Sequence, residues 1–340
     1  MPTQRPTVSI EPLPAVPGPE WDPAVAALGG CTFHSRGFGL ASAELGGKAL
    51  FLVFRRDGQP VGYAVASTEP TRWRSLAWAR DVLSLASPPA LTPDVTRLEA
   101  QAALATFARR EGCAQLVVHS FGDPRPGDAF PPADEGVQLA PRLEYRVPIG
   151  PDFPATLARM SATHRRKIRK VTEAGFTFEE HSTVEGALRV HAAHAQTFER
   201  RFARGEDQGA VWDLEDFRRR MEAYLRHGII RFHFTLLEGR TLSAIGTMRF
   251  GRTAYYLVGG TTPEGIERQS GFAMFAETIQ RLIGEGVTEF NLGGTGIHAR
   301  EEGDAEHGLH RYKAGYGGQV LELAHIRQRV TPWRWWPVQR

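Results

Sequence analysis

Short β-prone runs and longer stripes of helical period alternate along this chain, and the order in which they do so occurs twice. Phe51-Leu-Val-Phe54 and Val61-Gly-Tyr-Ala-Val65 flank Asp57-Gly58, a pair suited to the left-handed backbone of a tight turn, and so predict an antiparallel hairpin. A third run covers Val82 to Leu85. Thr92-Pro93-Asp94 then offers an N-cap, a first-position proline and a first-turn carboxylate, predicting a helix that carries Leu98, Ala102, Ala105 and Ala108 and stops at Gly112. Leu116 to Val118 is the strand behind it. Further on come Phe232 to Leu237, the turn Glu238-Gly239, Leu242 to Phe250, and a third strand at Tyr255 to Val258. A helical stripe follows, made of Phe272, Phe275, Ala276, Ile279, Leu282 and Ile283, then Gly286 and a strand from Val287 to Leu292. The two turns and the two helix-ending glycines recur at similar offsets, which points to an internal duplication. Each unit would form a mixed sheet flanked by helices, an α/β arrangement.

Length and composition sharpen this picture. A chain of 340 residues with 41% hydrophobic and 10% aromatic positions is large enough for two cores and excludes wholesale disorder. No run of apolar residues reaches membrane-spanning length, and Met1 to Pro6 lacks the apolar segment of a secretory signal, so a cytoplasmic protein is expected. Cys31 and Cys113 are far apart and lack a CxxC partner, which suggests neither a disulfide framework nor a thiolate metal site. The expected domains are a proline-rich extended lead-in at 1–20, a first α/β domain at 21–150, a second at 151–325 and a Trp/Arg-rich tail at 326–340. The segment around Tyr145 to Pro154 is expected to join the two domains.

Three features carry candidate chemistry. Arg268-Gln-Ser-Gly271-Phe-Ala273 stands where the last strand of the second hairpin unit gives way to its helix. A glycine there lets backbone N–H groups approach an anion, the helix dipole favours negative charge, and an arginine can neutralise a phosphate. Its spacing resembles the R-x-x-G-x-A phosphate loop of the GCN5-related N-acetyltransferases, the GNAT superfamily; Ser270 as an ordinary N-cap is the structural alternative. The matching stretch of the first unit, Ser87 to Pro93, has no glycine and two adjacent prolines, so that unit is expected to hold no cofactor. Arg165, Arg166, Arg169 and Lys170 share one helical side, where like charges repel unless an anion or the carboxylates Glu173, Glu179 and Glu180 offset them. His298, His307 and His310 with their acidic neighbours fit no standard metal spacing, so no metal site is assigned. Trp333-Arg334-Trp335-Trp336 either touches lipid headgroups or packs on the protein.

Near the C-terminus, Phe290-Asn291-Leu292-Gly293-Gly294 leads to Arg311-Tyr312-Lys313 and Tyr316-Gly317-Gly318. This arrangement resembles the ending of the FemABX aminoacyltransferases, which build peptidoglycan bridges on tandem GNAT-like domains. Arg165 to Lys170 with Glu173-Ala-Gly175, Phe33-His34-Ser35 with Phe38, Thr197-Phe198-Glu199-Arg200 and Tyr255 to Gly260 resemble further motifs of that family, in the same order along the chain.

The resemblance implies transfer of an amino acid from aminoacyl-tRNA to a free amine of a peptidoglycan precursor stem peptide. It places Lys313 as a cation beside the developing oxyanion. Thr197, Arg200, Tyr256 and Tyr312 fall at substrate-contacting positions, and Arg165, Arg166, Arg169 and Lys170 form the tRNA-facing polyanion site. A lipid-linked precursor would bring the protein to a membrane surface. No cofactor is implied. Two departures bear on mechanism. Asn291 replaces the family's usual aspartate, and an amide takes up no proton near neutral pH, so the attacking amine would lose its proton to substrate or water. Ala41 lies where some members carry a phosphate-binding lysine. Two other readings stay open: an acyl-CoA N-acyltransferase in which Arg268, Gly271 and Ala273 hold the pyrophosphate, and a non-catalytic RNA-binding protein using the basic cluster.

Overall fold

A computed structural model describes residues 8–69, 81–133, 136–203 and 212–331. The chain divides into two compact units between Pro141 and Arg142, and the first unit takes back the chain from Leu323.

The first unit contains β1 (Ser9–Pro12), α1 (Trp21–Ala27), α2 (Arg36–Glu44), β2 (Lys48–Arg56), β3 (Gln59–Glu69), β4 (Val82–Leu85), β5 (Ala90–Leu91), α3 (Arg97–Arg110) and β6 (Gln115–Val118). The predicted hairpin is β2–β3, turned by Asp57 at φ 51° and Gly58 at φ 75°. β1 to β4 run antiparallel in order, and β4 pairs with β6 in parallel. Phe54, Leu52, Leu83, Leu85, Leu104 and Leu116 centre the core.

The second unit contains β7 (Val137–Pro148) from Arg142 onward, α4 (Phe153–Arg159), α5 (Ala162–Thr172), β8 (Thr177–His181), α6 (Val184–Ala203), α7 (Leu214–Arg226), β9 (Ile230–Leu237), β10 (Arg240–Phe250), β11 (Thr253–Thr261), α8 (Pro263–Glu267), α9 (Ser270–Gly284), β12 (Glu289–Gly296) and α10 (His307–Ala314). β13 (Gln319–Arg329) follows and ends in the first unit. Here the sheet order is β7-β12-β11-β10-β9-β8. Glu238 and Gly239, at φ 51° and 77°, turn the β9–β10 hairpin as Asp57 and Gly58 turn its counterpart. α9 buries Phe272, Phe275, Ile279 and Leu282 against Phe290, Leu292 and Tyr316. Each such side chain is worth roughly 1.5–3 kcal/mol of apolar burial, which fixes the helix on the sheet.

Several expectations are corrected. The N-cap of α3 is Thr96, four positions after Thr92, because Thr96 and Glu99 close a reciprocal capping box. Its inward face is Ala100, Leu104, Ala105, Phe107 and Ala108, whereas Leu98 and Ala102 are exposed. Tyr145 to Pro148 is no linker: Leu143, Tyr145 and Val147 alternate into the second core from β7. The lead-in holds β1, which buries Ile10 beside β2 with Val8 buried just ahead of it, and the supposed tail begins with Ile326 to Arg329 paired on β6. The tryptophans of the tail lie outside the described residues.

Candidate functional site

The second unit opens along the parallel pair β11–β12. β11 and β12 are hydrogen-bonded only over Thr253 to Tyr255 and Glu289 to Asn291. Beyond that point Tyr256 to Thr261 stay with β10, while Gly294 to Gly296 stay with β7. Both strands change register where they part: β11 against β10 between Gly246 and Thr247, and β12 against β7 between Asn291 and Gly294. Bulges bend strands, and two of them bending apart leave a fork with unpaired backbone on each side. Gly293 occupies the second bulge at φ 69°, a backbone conformation that a side chain would strain.

Asn291 pins that bulge. Its Oδ1 accepts the Gly293 N–H at 2.8 Å, and its Nδ2 donates to Glu144 Oε1 at 2.9 Å. Glu144 is fully buried and also receives Arg142 at 3.0 Å and Arg146 at 2.9 Å. A second carboxylate at position 291 would face Glu144, so the asparagine is the residue this arrangement accepts. Asn291 thus ties the bulge to Glu144 on β7.

Lys313 reaches the fork from α10. It is 8% exposed, and its Nζ donates to Gly294 O at 2.9 Å. The rings of Tyr145 and Tyr256 lie 5.7 and 5.8 Å from Nζ. No carboxylate lies within 4.0 Å of Lys313 among the described residues. Burial, supported by the Arg142 charge, pushes its amine down to about 7. Tyr145 bonds through its hydroxyl to Thr295 at 2.8 Å and His310 Nδ1 at 2.9 Å. Burial raises Tyr256 to about 12 and also raises Tyr145 and Tyr312, so these phenols stay neutral.

The glycines of the terminal motif have structural reasons. A Cβ on Gly315 would fall 1.9 Å from the His164 ring, and one on Gly317 would fall 2.2 Å from Arg159 O. His164, from α5, is wedged between Ser161 Oγ at 2.9 Å and Tyr312 O at 2.8 Å, so the basic helix and the Lys313 helix hold each other.

Other candidates divide. Tyr312 lies against the start of α9: its hydroxyl accepts from Tyr316 at 2.9 Å and is 3.2 Å from where a Cβ on Gly271 would be. Thr197 and Arg200 fasten α6 to β11, Thr197 accepting the Thr261 N–H at 3.0 Å and Arg200 donating to Thr261 O at 3.0 Å. Gln269, left-handed at φ 61°, opens α9 without a side-chain cap, and Ser270 is buried on Ser243 rather than capping. Arg268 is exposed and paired with Glu264 at 2.9 Å, and Ala273 is core. Arg165 is tied to Met160 O at 2.5 Å, leaving Arg166, Arg169 and Lys170 as the exposed side of α5. The expected partners Glu179 and Glu180 are engaged elsewhere, with Arg189 and Arg231. Ala41 is fully buried and presents nothing to a ligand. Among the described residues no cluster of three or more His, Cys, Asp or Glu is placed to hold a metal ion. Nor is any helix there long and apolar enough to cross a membrane.

Glu144 and Tyr145 escape a reading of the sequence because they lie in a strand taken for a linker. The signal available was the alternation of Leu143, Tyr145 and Val147.

Residues 158–314 match the family model described as an acetyltransferase (GNAT) domain. Comparison with curated proteins finds no match. Among solved structures the chain is similar to FemX, with a TM-score of 0.71 at 16% identity over 93% of this chain and 96% of that one. It is similar to a conserved protein of unknown function from Bacteroides thetaiotaomicron, with a TM-score of 0.54 at 11% identity over 93% and 98%. A tandem GNAT protein from the clavulanic acid biosynthesis pathway gives 0.51 at 12% identity over 96% and 99%. The expected tandem GNAT-like fold is thus the observed one.

Proposed function

From a GNAT acyltransferase domain set in a FemX-like tandem fold, we propose that this protein moves an aminoacyl group from aminoacyl-tRNA to an amine of a peptidoglycan precursor stem peptide. The observation that carries this is the buried Lys313 amine, held by the Gly294 carbonyl inside the β11–β12 fork with no carboxylate within salt-bridge distance among the described residues. Amine attack on an ester builds negative charge on the carbonyl oxygen, and a fixed donor in a dry site stabilises it far better than one in water. Tyr256 and Tyr312 line the same region and supply neutral hydroxyls for orienting substrate. The exposed side of α5, where Arg166, Arg169 and Lys170 meet no carboxylate among the described residues, supports the choice of a polyanionic donor. Such substrates place the reaction in the cytoplasm, at the membrane surface when the precursor is lipid-linked.

A second reading, acyl transfer from acyl-CoA, is favoured by the uncapped start of α9 at Ser270 and Gly271. Against it, Arg268 is already neutralised by Glu264. The deciding experiment incubates the protein with a nucleotide-linked stem peptide and either aminoacyl-tRNA or acetyl-CoA, following the product mass. Extension by one aminoacyl residue only with tRNA is the expected result. Acetylation only, abolished by Gly271→Trp, would replace the first reading by the second.

A further inference from the structure

We propose that Lys313 is the proton carrier of the transfer, entering the cycle as a neutral amine rather than as a standing cation. The inference rests on the acyl-transfer reading above and is indifferent to which donor is used.

Geometry carries it. Among the described residues the Lys313 Nζ has one hydrogen-bond acceptor, Gly294 O at 2.9 Å. A neutral amine satisfies that acceptor with one N–H, leaves one further N–H and keeps a lone pair; an ammonium would leave two N–H donors facing only the Tyr145 and Tyr256 rings. The two carboxylates of the neighbourhood are committed to other groups. Glu144, from β7, serves Arg142, Arg146 and Asn291, and Glu306, preceding α10, serves Arg201 and the Gly296 N–H. The charged groups facing Lys313 are therefore Arg142 and Glu144 from β7, Arg201 from α6 and Glu306, and the titratable rings are Tyr145 from β7 and Tyr256 from β11. Two cations and two carboxylates oppose one another, and burial, the largest influence, favours the neutral form. The amine accordingly lies near 7, where it is poised to take and return a proton.

The neighbouring groups leave this task to Lys313. The Asn291 amide bridges Glu144 and Gly293, and His164 is held on both nitrogens by Ser161 and Tyr312. The His310 Nδ1 is bonded to the Tyr145 hydroxyl.

The step balances as follows. The acceptor amine attacks the donor carbonyl carbon, a C–N bond forms, and the carbonyl π pair moves to oxygen. The proton shed by the new ammonium passes to the Lys313 lone pair. Lys313, now cationic, lies beside the oxyanion it has helped to create. Collapse reforms C=O, breaks the bond to the leaving oxygen (sulfur for a thioester), and takes the proton from Lys313 onto that atom. The lysine is neutral again, and amine plus ester has become amide plus alcohol.

Only four lysines, Lys48, Lys167, Lys170 and Lys313, occur in the chain, so protein labelled with 13C-lysine gives four side-chain signals to titrate by NMR. The signal lost in Lys313→Arg should titrate with a midpoint near 7, and the wild-type kcat/KM should rise through the same pH. Lys313→Arg keeps a charge but cannot release a proton, so turnover should fall about 100-fold or more. A Lys313 midpoint in the ordinary lysine range overturns the proposal even if no turnover is found, as does a Lys313→Arg protein active to within a few-fold. Absence of transfer by the wild type with either donor instead overturns the acyl-transfer reading, and the NMR midpoint is read independently of it.

Discussion

Among the described residues each unit contains one parallel strand pair, and the two pairs end differently. In the first, β4 and β6 pair along their whole length, Val82–Leu85 against Gln115–Val118. The zipping continues past both strands through His119 N to Leu85 O at 2.8 Å and Phe121 N to Ala86 O at 3.2 Å. In the second, pairing stops at Tyr255 and Asn291, and both strands run on apart. A sheet whose backbone is satisfied to its end has nothing to offer a ligand. One interrupted by two bulges exposes carbonyls such as that of Gly294, and here a lysine has been brought to it. The same duplicated plan thus gives one closed unit and one open one, and the difference lies in a few backbone angles rather than in the order of elements.

The comparison is broken most severely by disturbing the open pair. Gly293→Val puts a β-branched side chain at φ 69°, costing about 1–3 kcal/mol of backbone strain and displacing the Gly294 carbonyl. Turnover should fall about 100-fold or more, as it does when a reacting group moves by about 1 Å. Ser84→Ala, in the closed pair, should leave turnover within about twofold. Steady-state kinetics on the two proteins, with melting curves to confirm folding, checks this; equal losses would remove the distinction between the units.

A smaller effect follows from restoring the carboxylate that the sequence lacks. Asn291→Asp sets two carboxylates face to face at Glu144 and removes a hydrogen bond, for about 2 kcal/mol of lost stability at neutral pH. The sign of its pH dependence follows from Glu144 raising the new carboxyl above its unfolded value. Stability is then fully present below the unfolded value and lost as pH rises through the folded one. Denaturant melts across the acid-to-neutral range should show the variant approaching wild type at low pH; a gain in activity with no loss of stability would mean that Asn291 is a vacated base after all.

Two sets of cations are also used differently. Arg55, Arg56, Arg97 and Arg125 of the first unit each sit on a carboxylate. Arg166, Arg169 and Lys170 of the second meet none among the described residues. The double change Arg166→Glu and Arg169→Glu should weaken tRNA binding about tenfold and flatten its dependence on salt by about 0.7–0.9 for each phosphate that is no longer neutralised. Filter binding at several salt concentrations reads both, and an unchanged slope would return the stripe to plain surface.

Much of this architecture is legible in the sequence. Both hairpins, the strands behind them and the α9 stripe follow from apolar period and turn residues, because those elements are determined locally. The family resemblance singles out Lys313, Tyr256 and Tyr312; in the structure the Lys313 amine lies 5.8 Å from the Tyr256 ring, while the Tyr312 hydroxyl meets Tyr316. What is not legible depends on register. Nothing in Phe290 to Gly294 reveals that Asn291 faces Glu144, since that pairing is set by a strand distant in sequence. Thr197 and Arg200 look like ligand contacts in a motif, and both also bond to Thr261, a fact only the packing of α6 on β11 discloses. Thr92 competes with Thr96 as a cap, and Glu99 decides it through a reciprocal bond.

The smallest expected effect tests whether the open unit is open for CoA. Arg268 resembles a phosphate-binding arginine, but its guanidinium is exposed and paired with Glu264, which Arg240 also engages and holds below the usual carboxylate range. Exposed pairs of this kind contribute little to stability, so Arg268→Ala should leave the melting temperature unchanged within error. It should also leave transfer from aminoacyl-tRNA within about twofold, since α9 then meets no pyrophosphate. Calorimetry with acetyl-CoA supplies the opposing measurement. A tenfold loss of CoA affinity in Arg268→Ala would mean that the arginine exchanges Glu264 for a phosphate on binding, and the start of α9 would then be the donor site.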